Sequence, residues 1–251
     1  MSVFVIADTH LSFGVKKPMD IFGNRWKNYH EKLKNGWISQ ITDSDTVIIP
    51  GDISWAMNIQ EALPDFAFLS ALPGQKIILK GNHDYWWSTT NKLNNFIAEN
   101  HFDSIRFLHN NALIAEDFII CGSRGWYPDD KNHKLSENAD CKKIVAREAI
   151  RLRLSLEAGK KLQEADPTPR EIIAFMHFPP YYTDYCCDEL IYELYRAGVS
   201  RCYFGHIHGK YSGPEYFEYC DIRFYLISSD FLNFIPKKIE ATSQKNNNCV
   251  K

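Results

Sequence analysis

The chain has 251 residues, 45% of them hydrophobic and 24% charged, with a formal net charge of -2. A chain of this size fits one large α/β domain and buries a core without disulfide staples. Its near-zero charge excludes a global pull toward nucleic acid or membrane. No apolar run reaches the length of about 18 residues that a membrane span needs, so no transmembrane helix is expected. No basic segment precedes a long apolar run, so no signal peptide is expected. The seven cysteines are odd in number and irregularly spaced. They read as free thiols in a reducing compartment, which makes a cytoplasmic location the expectation. Cys186-Cys187 carries no paired-cysteine motif and reads as packing or surface thiols.

Along the chain one pattern recurs: a short apolar run, then polar residues at once. Val3 to Ala7 leads into Asp8-Thr9-His10, and Thr46 to Pro50 leads into Gly51-Asp52. Lys76 to Lys80 leads into Gly81-Asn82-His83-Asp84. Later, Glu171 to Met176 leads into His177, and Arg201 to Phe204 into Gly205-His206-Ile207-His208. Such runs predict buried strands. Helical patterns near Trp26 to Ile41 and Ile59 to Leu72 separate the first three, which predicts parallel βαβ pairing. A strand pair is expected around Arg106 to Cys121, with Asn110-Asn111 as its turn. A long helix is expected over about Glu137 to Gln163, with Val145, Ala149, Leu152 and Leu156 as its apolar stripe. Arg147, Arg151 and Arg153 fall off that stripe and read as a solvated face. Tyr211 to Ser228 suggests closing antiparallel strands. A single domain over 1–236 and a polar tail over 237–251 complete the reading.

Five strands thus each end in potential metal ligands. Open α/β sheets bind ligands at the carboxyl ends of their strands, where residues distant in sequence converge. Asp8 and His10, two apart, would point the same way on extended backbone, and His206 and His208 repeat that spacing. Gly51, Gly81, Gly205 and Gly209 allow tight turns and close backbone approach. Carboxylate, imidazole and amide ligands without thiolate suit Mn, Fe or Zn. On two divalent ions, Asp8, Asp52 and a bridging hydroxide would leave about one net positive charge, attractive to a phosphate ester.

The ordered set Asp8-x-His10, Gly51-Asp52, Gly81-Asn82-His83-Asp84, His177 and Gly205-His206-x-His208 resembles the calcineurin-like metallophosphoesterase superfamily. The resemblance implies a four-layer αββα sandwich: two mixed β-sheets packed face to face, flanked by helices. It further implies that Asp8, His10 and His208 bind one metal, that Asn82, His177 and His206 bind the other, and that Asp52 bridges them. His83 would be the non-ligand catalytic histidine near the leaving group. One departure stands out. Where the protein-phosphatase branch has an Asp supporting that histidine, this chain has Trp55, which argues against a protein-phosphatase assignment.

Other residues leave alternatives open. Arg124 is a candidate for holding a substrate phosphate oxygen, or a structural ion-pair partner. Asp84 is either part of the site or a cap for the following turn. Trp86-Trp87, Trp126-Tyr127 and Tyr181-Tyr182 suit an aromatic wall or the core. The segment from Leu11 to Arg25, with Lys16, Lys17 and Arg25, is a loop over the pocket or a solvated connection. His30, His101, His109 and His133 read as surface or structural residues. The leading functional expectation is hydrolysis of a phosphomonoester or phosphodiester by a two-metal-activated hydroxide. The partner is then a small phosphate-ester substrate, with no membrane. Alternatives are a nuclease, which the net acidity disfavours, a non-catalytic scaffold of the same fold, and a metal-binding regulatory protein. Substrate identity and oligomeric state leave no mark in the sequence, because specificity in such folds lives in loops.

Overall fold

The computed structural model describes residues 1–127 and 139–241. The first sheet is built from β1 (Val3–Val5), β2 (Thr46–Pro50), β3 (Gln75–Leu79) and β4 (Ile105–Phe107), all parallel, with β13 (Lys237–Ile239) antiparallel to β1. The second sheet runs in the order β11 (Phe217–Tyr219), β12 (Ile222–Leu226), β10 (Arg201–Phe204), β7 (Glu171–Met176), β6 (Phe118–Ser123) and β5 (Leu113–Ala115). Its inner strands are parallel, and its two edges are antiparallel. A two-stranded ribbon, β8 (Tyr181–Tyr182) with β9 (Tyr185–Cys186), lies beside it. The helices are α1 (Tyr29–Ile38), α2 (Leu63–Ala71), α3 (Thr90–Glu99), α4 (Ala139–Ala165) and α5 (Asp188–Arg196).

Strand periodicity sorts the side chains into three apolar layers. Successive strand residues face opposite sides, so Phe4 and Val47 pack with α1 and α2 while Val3, Val5 and Ile48 pack between the sheets. In β7, Ile172, Ala174 and Met176 face α4 and α5, and Ile173 and Phe175 face the other sheet. Both faces of each sheet are therefore apolar, which is why these strands read as continuous hydrophobic runs. The result is the expected four-layer αββα sandwich of two mixed sheets flanked by helices. The α4 stripe meets the expectation as well: Ala149, Leu152 and Leu156 are buried against the second sheet, while Arg151 and Arg153 pair with Glu148 and Glu193.

Three expectations change. The Asn110-Asn111 segment is not a hairpin turn. It carries the chain from β4 in the first sheet to β5 in the second, and the hairpin turn falls at Glu116-Asp117, where Glu116 has a φ of 52°. Trp26 is not in α1 but in a preceding 3₁₀ turn, Asn24–Trp26. The polar tail does not begin at 237, because Lys237–Ile239 complete the first sheet against Val3–Val5. Helices α3 and α5 were not foreseen; Thr89 caps α3 by accepting from the Lys92 N–H, and Leu190, Ile191 and Leu194 bury one face of α5. Among the described residues, no helix is long and apolar enough to cross a membrane.

Lys76 is a fully buried cation in β3, donating to the Leu72 carbonyl and to Ser104 Oγ. Burial pushes its pKa down to about 8 from an ordinary 10.5. Between those values the unfolded chain holds a proton that the folded chain releases, so this group's contribution to stability rises with pH across that window. In Lys76→Met that rise should be missing, so the stability of the parent relative to the variant should grow with pH, read by urea unfolding from pH 7 to 10.5. An unchanged slope would contradict it.

Candidate metal centre

The carboxyl ends of five strands meet where the two sheets join. Ala7 forms a parallel bridge to Ser228, and its N–H donates to the Ile227 carbonyl at 2.8 Å, linking the first strand to the end of β12. The Asp8 N–H donates to the Gly51 carbonyl at 3.1 Å, and the Gly205 N–H to the His177 carbonyl at 3.1 Å. Every motif residue singled out in the sequence is thereby drawn to one edge.

Two clusters form there. Ligand atoms of Asp8, His10 and His208 lie within 4.8 Å of one another, and so do those of Asp8, Asp52 and His177. His10 Nε2 is 3.2 Å from His208 Nε2, and His177 Nε2 is 2.6 Å from Asn82 Oδ1. Asp52 stands between the groups, with Oδ2 3.6 Å from His10 Nε2 and Oδ1 3.5 Å from His177 Nε2. The His206 ring packs against that of His177, centroids 5.2 Å apart, while the His206 backbone N–H donates to Asp8. These side chains do not converge through extended backbone, as the spacing suggested. Asp8, His10, Asp52 and His206 have φ values of 59°, 44°, 52° and 68°. Non-glycine residues in this left-handed region carry strain, which clusters at functional sites. Glycine is needed at 81 and 205, since a Cβ there would collide with the carboxylates of Asp52 and Asp8 respectively.

Two carboxylates outside the ligand set hold it in place. Asp84 is fully buried and accepts from the backbone N–H groups of Gly81, Asp52, Ile53 and Ser54 and from Trp86 Nε1. It clamps the loop after β2 to the loop after β3. Asp230, also fully buried, pairs with His208 Nδ1 at 2.8 Å and accepts from the Gly209 N–H at 3.0 Å. A carboxylate on one imidazole nitrogen leaves the other facing the site as a lone pair. Asp230 was missed in the sequence because it sits 22 residues beyond its histidine in no motif. Only the buried run preceding it, Ile222 to Ile227, pointed to another strand end.

Electrostatics test whether a metal fits. Burial drives the pKa values of His10 and His177 well below normal, with further lowering from the neighbouring histidines. Burial, with His208 and His83 nearby, takes His206 down to about 3. Neutral imidazoles are what metal ligation requires. Burial would also lower His208, but its hydrogen bond to Asp230 and the charges of Asp8 and Asp230 raise it. Burial lifts Asp8 to about 6, against the pull of His208. Meanwhile His10 Nδ1 is buried without a hydrogen-bond partner, and His177 Nδ1 has the Asp8 carboxylate 3.4 Å away, so leaving the His10 nitrogen unbound costs about 1–3 kcal/mol. Buried carboxylates, neutral imidazoles and an orphaned nitrogen fit a cation bound by oxygen and nitrogen, so these residues can hold metal.

A cavity of about 360 Å³ opens over this centre, lined among others by His10, Asp52, His83, His206 and His208. Trp26, Met19, Phe22 and Tyr211 form its apolar walls, so the segment from Leu11 to Arg25 does lie over the pocket. His83 stands at the cavity wall, its N–H donating to Asp52 Oδ1 at 2.9 Å. Trp55, three residues after Asp52, packs against two imidazoles. Its ring stacks on His10 at 4.9 Å and tilts against His83 at 4.3 Å, and its Nε1 donates to Met19 Sδ.

Arg124 does not line this cavity. Its guanidinium lies 3.5 Å from buried Glu148, beside a small separate pocket with Lys80, His109 and Arg151. Trp86 belongs to the core, and Tyr181 stacks on Tyr219 at 4.7 Å; of the paired aromatics, Tyr127 approaches the site, 5.8 Å from the His206 ring. His30 packs between Phe13 and Tyr29, and His101 is exposed. His133 lies outside the described residues.

Asp84→Ala should leave several buried donors unmet and destabilise the fold by about 3 kcal/mol or more, measured by urea unfolding; a loss under about 1 kcal/mol would discount the clamp. Asp230→Asn should weaken Mn²⁺ or Zn²⁺ binding about 10–100-fold while the fold stays intact. Calorimetric titration checks this, and unaltered affinity would count against the orienting role.

Comparison with known proteins supplies the family. The family model described as calcineurin-like phosphoesterase matches residues 1–210. No curated protein matches the chain. Among solved structures, TT1561 of Thermus thermophilus is similar with a TM-score of 0.55 at 12% identity, over 95% of this chain and 97% of that one. Phosphopantetheinyl hydrolase (PptH) from Mycobacterium tuberculosis is similar with a TM-score of 0.52 at 13% identity, over 97% of each chain. At such identities the likeness concerns the fold alone. The match over residues 1–210, on a sandwich whose strand ends gather the motif's Asp and His residues, places the chain in the calcineurin-like phosphoesterase family.

Proposed function

We propose that the protein is a metal-dependent phosphohydrolase that cleaves a phosphomonoester or phosphodiester with two Mn, Fe or Zn ions. One observation carries this: two ligand clusters share Asp8 beneath a cavity that also presents His83. Asp8, His10 and His208 would hold one ion, and Asn82, His177 and His206 the other. Asp52 suits the bridging position because its two oxygens approach one imidazole of each set.

Bound ions would supply Lewis-acid stabilisation of the phosphoryl oxygens and acidify a water molecule. The protein's own residues do the rest. Asp84 and Asp230 fix the ligands before substrate arrives, so little reorganisation is needed in the transition state. In the reaction an oxygen from water bonds to phosphorus, the bond from phosphorus to the leaving oxygen breaks, and that oxygen takes up a proton. His83, held by its backbone against Asp52 and by its ring against Trp55, is the proposed proton donor. Trp55 stands where the protein-phosphatase pattern has an Asp, which favours small esters over phosphoproteins.

The test joins metal content to turnover. Purified protein should bind about two metals per chain and hydrolyse mono-aryl or bis-aryl phosphates with added Mn²⁺. Asp52→Asn should abolish activity. His83→Gln should lower kcat by roughly 10²–10⁴ while retaining metal. A pantetheinyl phosphodiester belongs in the substrate panel because of the name of the similar mycobacterial structure. Absence of any bindable metal would overturn the proposal.

A further inference from the structure

Beside the cavity over the metal residues lies a second, outer groove of about 610 Å³. The two share Phe22, Trp55 and His83 as lining, so they are neighbouring compartments with the Trp55–His83 pair between them. The outer groove differs from the inner cavity in chemistry. Among the described residues it offers no metal ligand and no carboxylate, and its charged residues are Lys16 and Lys17. Lys17 Nζ sits 4.3 Å from the Trp55 ring centroid, a cation–π position that holds the ammonium at the groove. The rest of the lining is largely apolar or aromatic, with Phe22, Met57 and Tyr85 exposed by 56%, 62% and 56%. Large apolar side chains left in water around one groove mark a binding surface.

The position of His83 gives the groove a direction. In the proposed function His83 protonates the leaving oxygen, so the leaving group departs on the His83 side. The geometry points to the outer groove as the leaving-group subsite, selecting esters whose alcohol carries an apolar or aromatic stem that ends in an anion. The stem lies along Phe22, Met57 and Tyr85. The anion meets Lys16 and Lys17, which supply charge-assisted hydrogen bonds. This inference rests on the phosphohydrolase reading, and it names Lys16, Lys17 and Trp55 as specificity residues rather than catalytic ones.

A matched pair of probes tests it: 4-nitrophenyl phosphate and 3-carboxy-4-nitrophenyl phosphate, each also as its phenyl diester. With the full-length Mn²⁺-loaded protein, kcat/KM should favour the carboxylated probe by roughly tenfold, the worth of one good charged contact. That preference should disappear in the double variant Lys16→Ala/Lys17→Ala, and it should shrink as salt rises from about 0.05 to 0.5 M. Both changes should enter through KM. Turnover of both probes without preference, or a preference that survives the double variant, would overturn the inference while leaving the phosphohydrolase reading intact. If neither probe turns over, binding decides. The product 3-carboxy-4-nitrophenol should bind more tightly than 4-nitrophenol by calorimetry, and the double variant should erase the difference. Equal binding of the two phenols would overturn the subsite, whereas failed turnover with selective binding would count against the phosphohydrolase reading alone.

Discussion

The centre depends on one buried carboxylate that touches no proposed ligand atom. Asp84 gathers four backbone N–H groups and an indole N–H from two separate loops onto its two oxygens. Burial lifts its pKa to about 6 against the pull of those donors, a sign of how much solvation it gives up. In exchange the loop bearing Asp52 and the loop bearing Asn82 and His83 are fixed to one another. Their strained residues can persist because the surrounding bonds over-determine them. Gly81 permits the close approach that this clamp imposes, its Cα lying where any side chain would strike Asp52.

Around that clamp the site follows a simple electrostatic logic. Deep burial keeps His10, His177 and His206 neutral and leaves His10 Nδ1 without a hydrogen-bond partner, an arrangement that is costly in an empty fold and favourable around a cation. Aromatic rings then replace the usual polar support. Trp55 holds two imidazoles, and Trp26 meets His10 and His208 edge-on. A site walled by rings admits less water, so each charge inside it counts for more.

Much of this was legible before any coordinates. The alternation of apolar runs with Asp, His and Asn at their ends marked both the parallel sheets and the seven ligand candidates gathered at one edge, because burial on both faces and polar residues at strand ends each leave a local pattern. What was not legible depends on contacts distant in sequence. Asp230 reaches His208 across an intervening hairpin. The backbone kinks at Asp8 and His10 contradict the extended geometry their spacing implied, since φ responds to tertiary packing. Asn110-Asn111 carried a turn signature, and the chain used it for a crossing between sheets instead. Arg124 had the chemistry for phosphate but is engaged with Glu148, whose burial on α4 no local pattern announces.

The pairing of β13 with β1 ties the site to segments far apart along the chain. Val3 lies opposite Ile239, and Ala7 bridges to Ser228. The strand that delivers Asp8 and His10 thus acquires one neighbour only from a segment more than 230 residues further along the chain. Such sequence separation raises contact order and slows the closing steps of folding. The centre therefore draws on both sheets, and the N-terminal βαβ units that carry most of its motifs do not complete it alone.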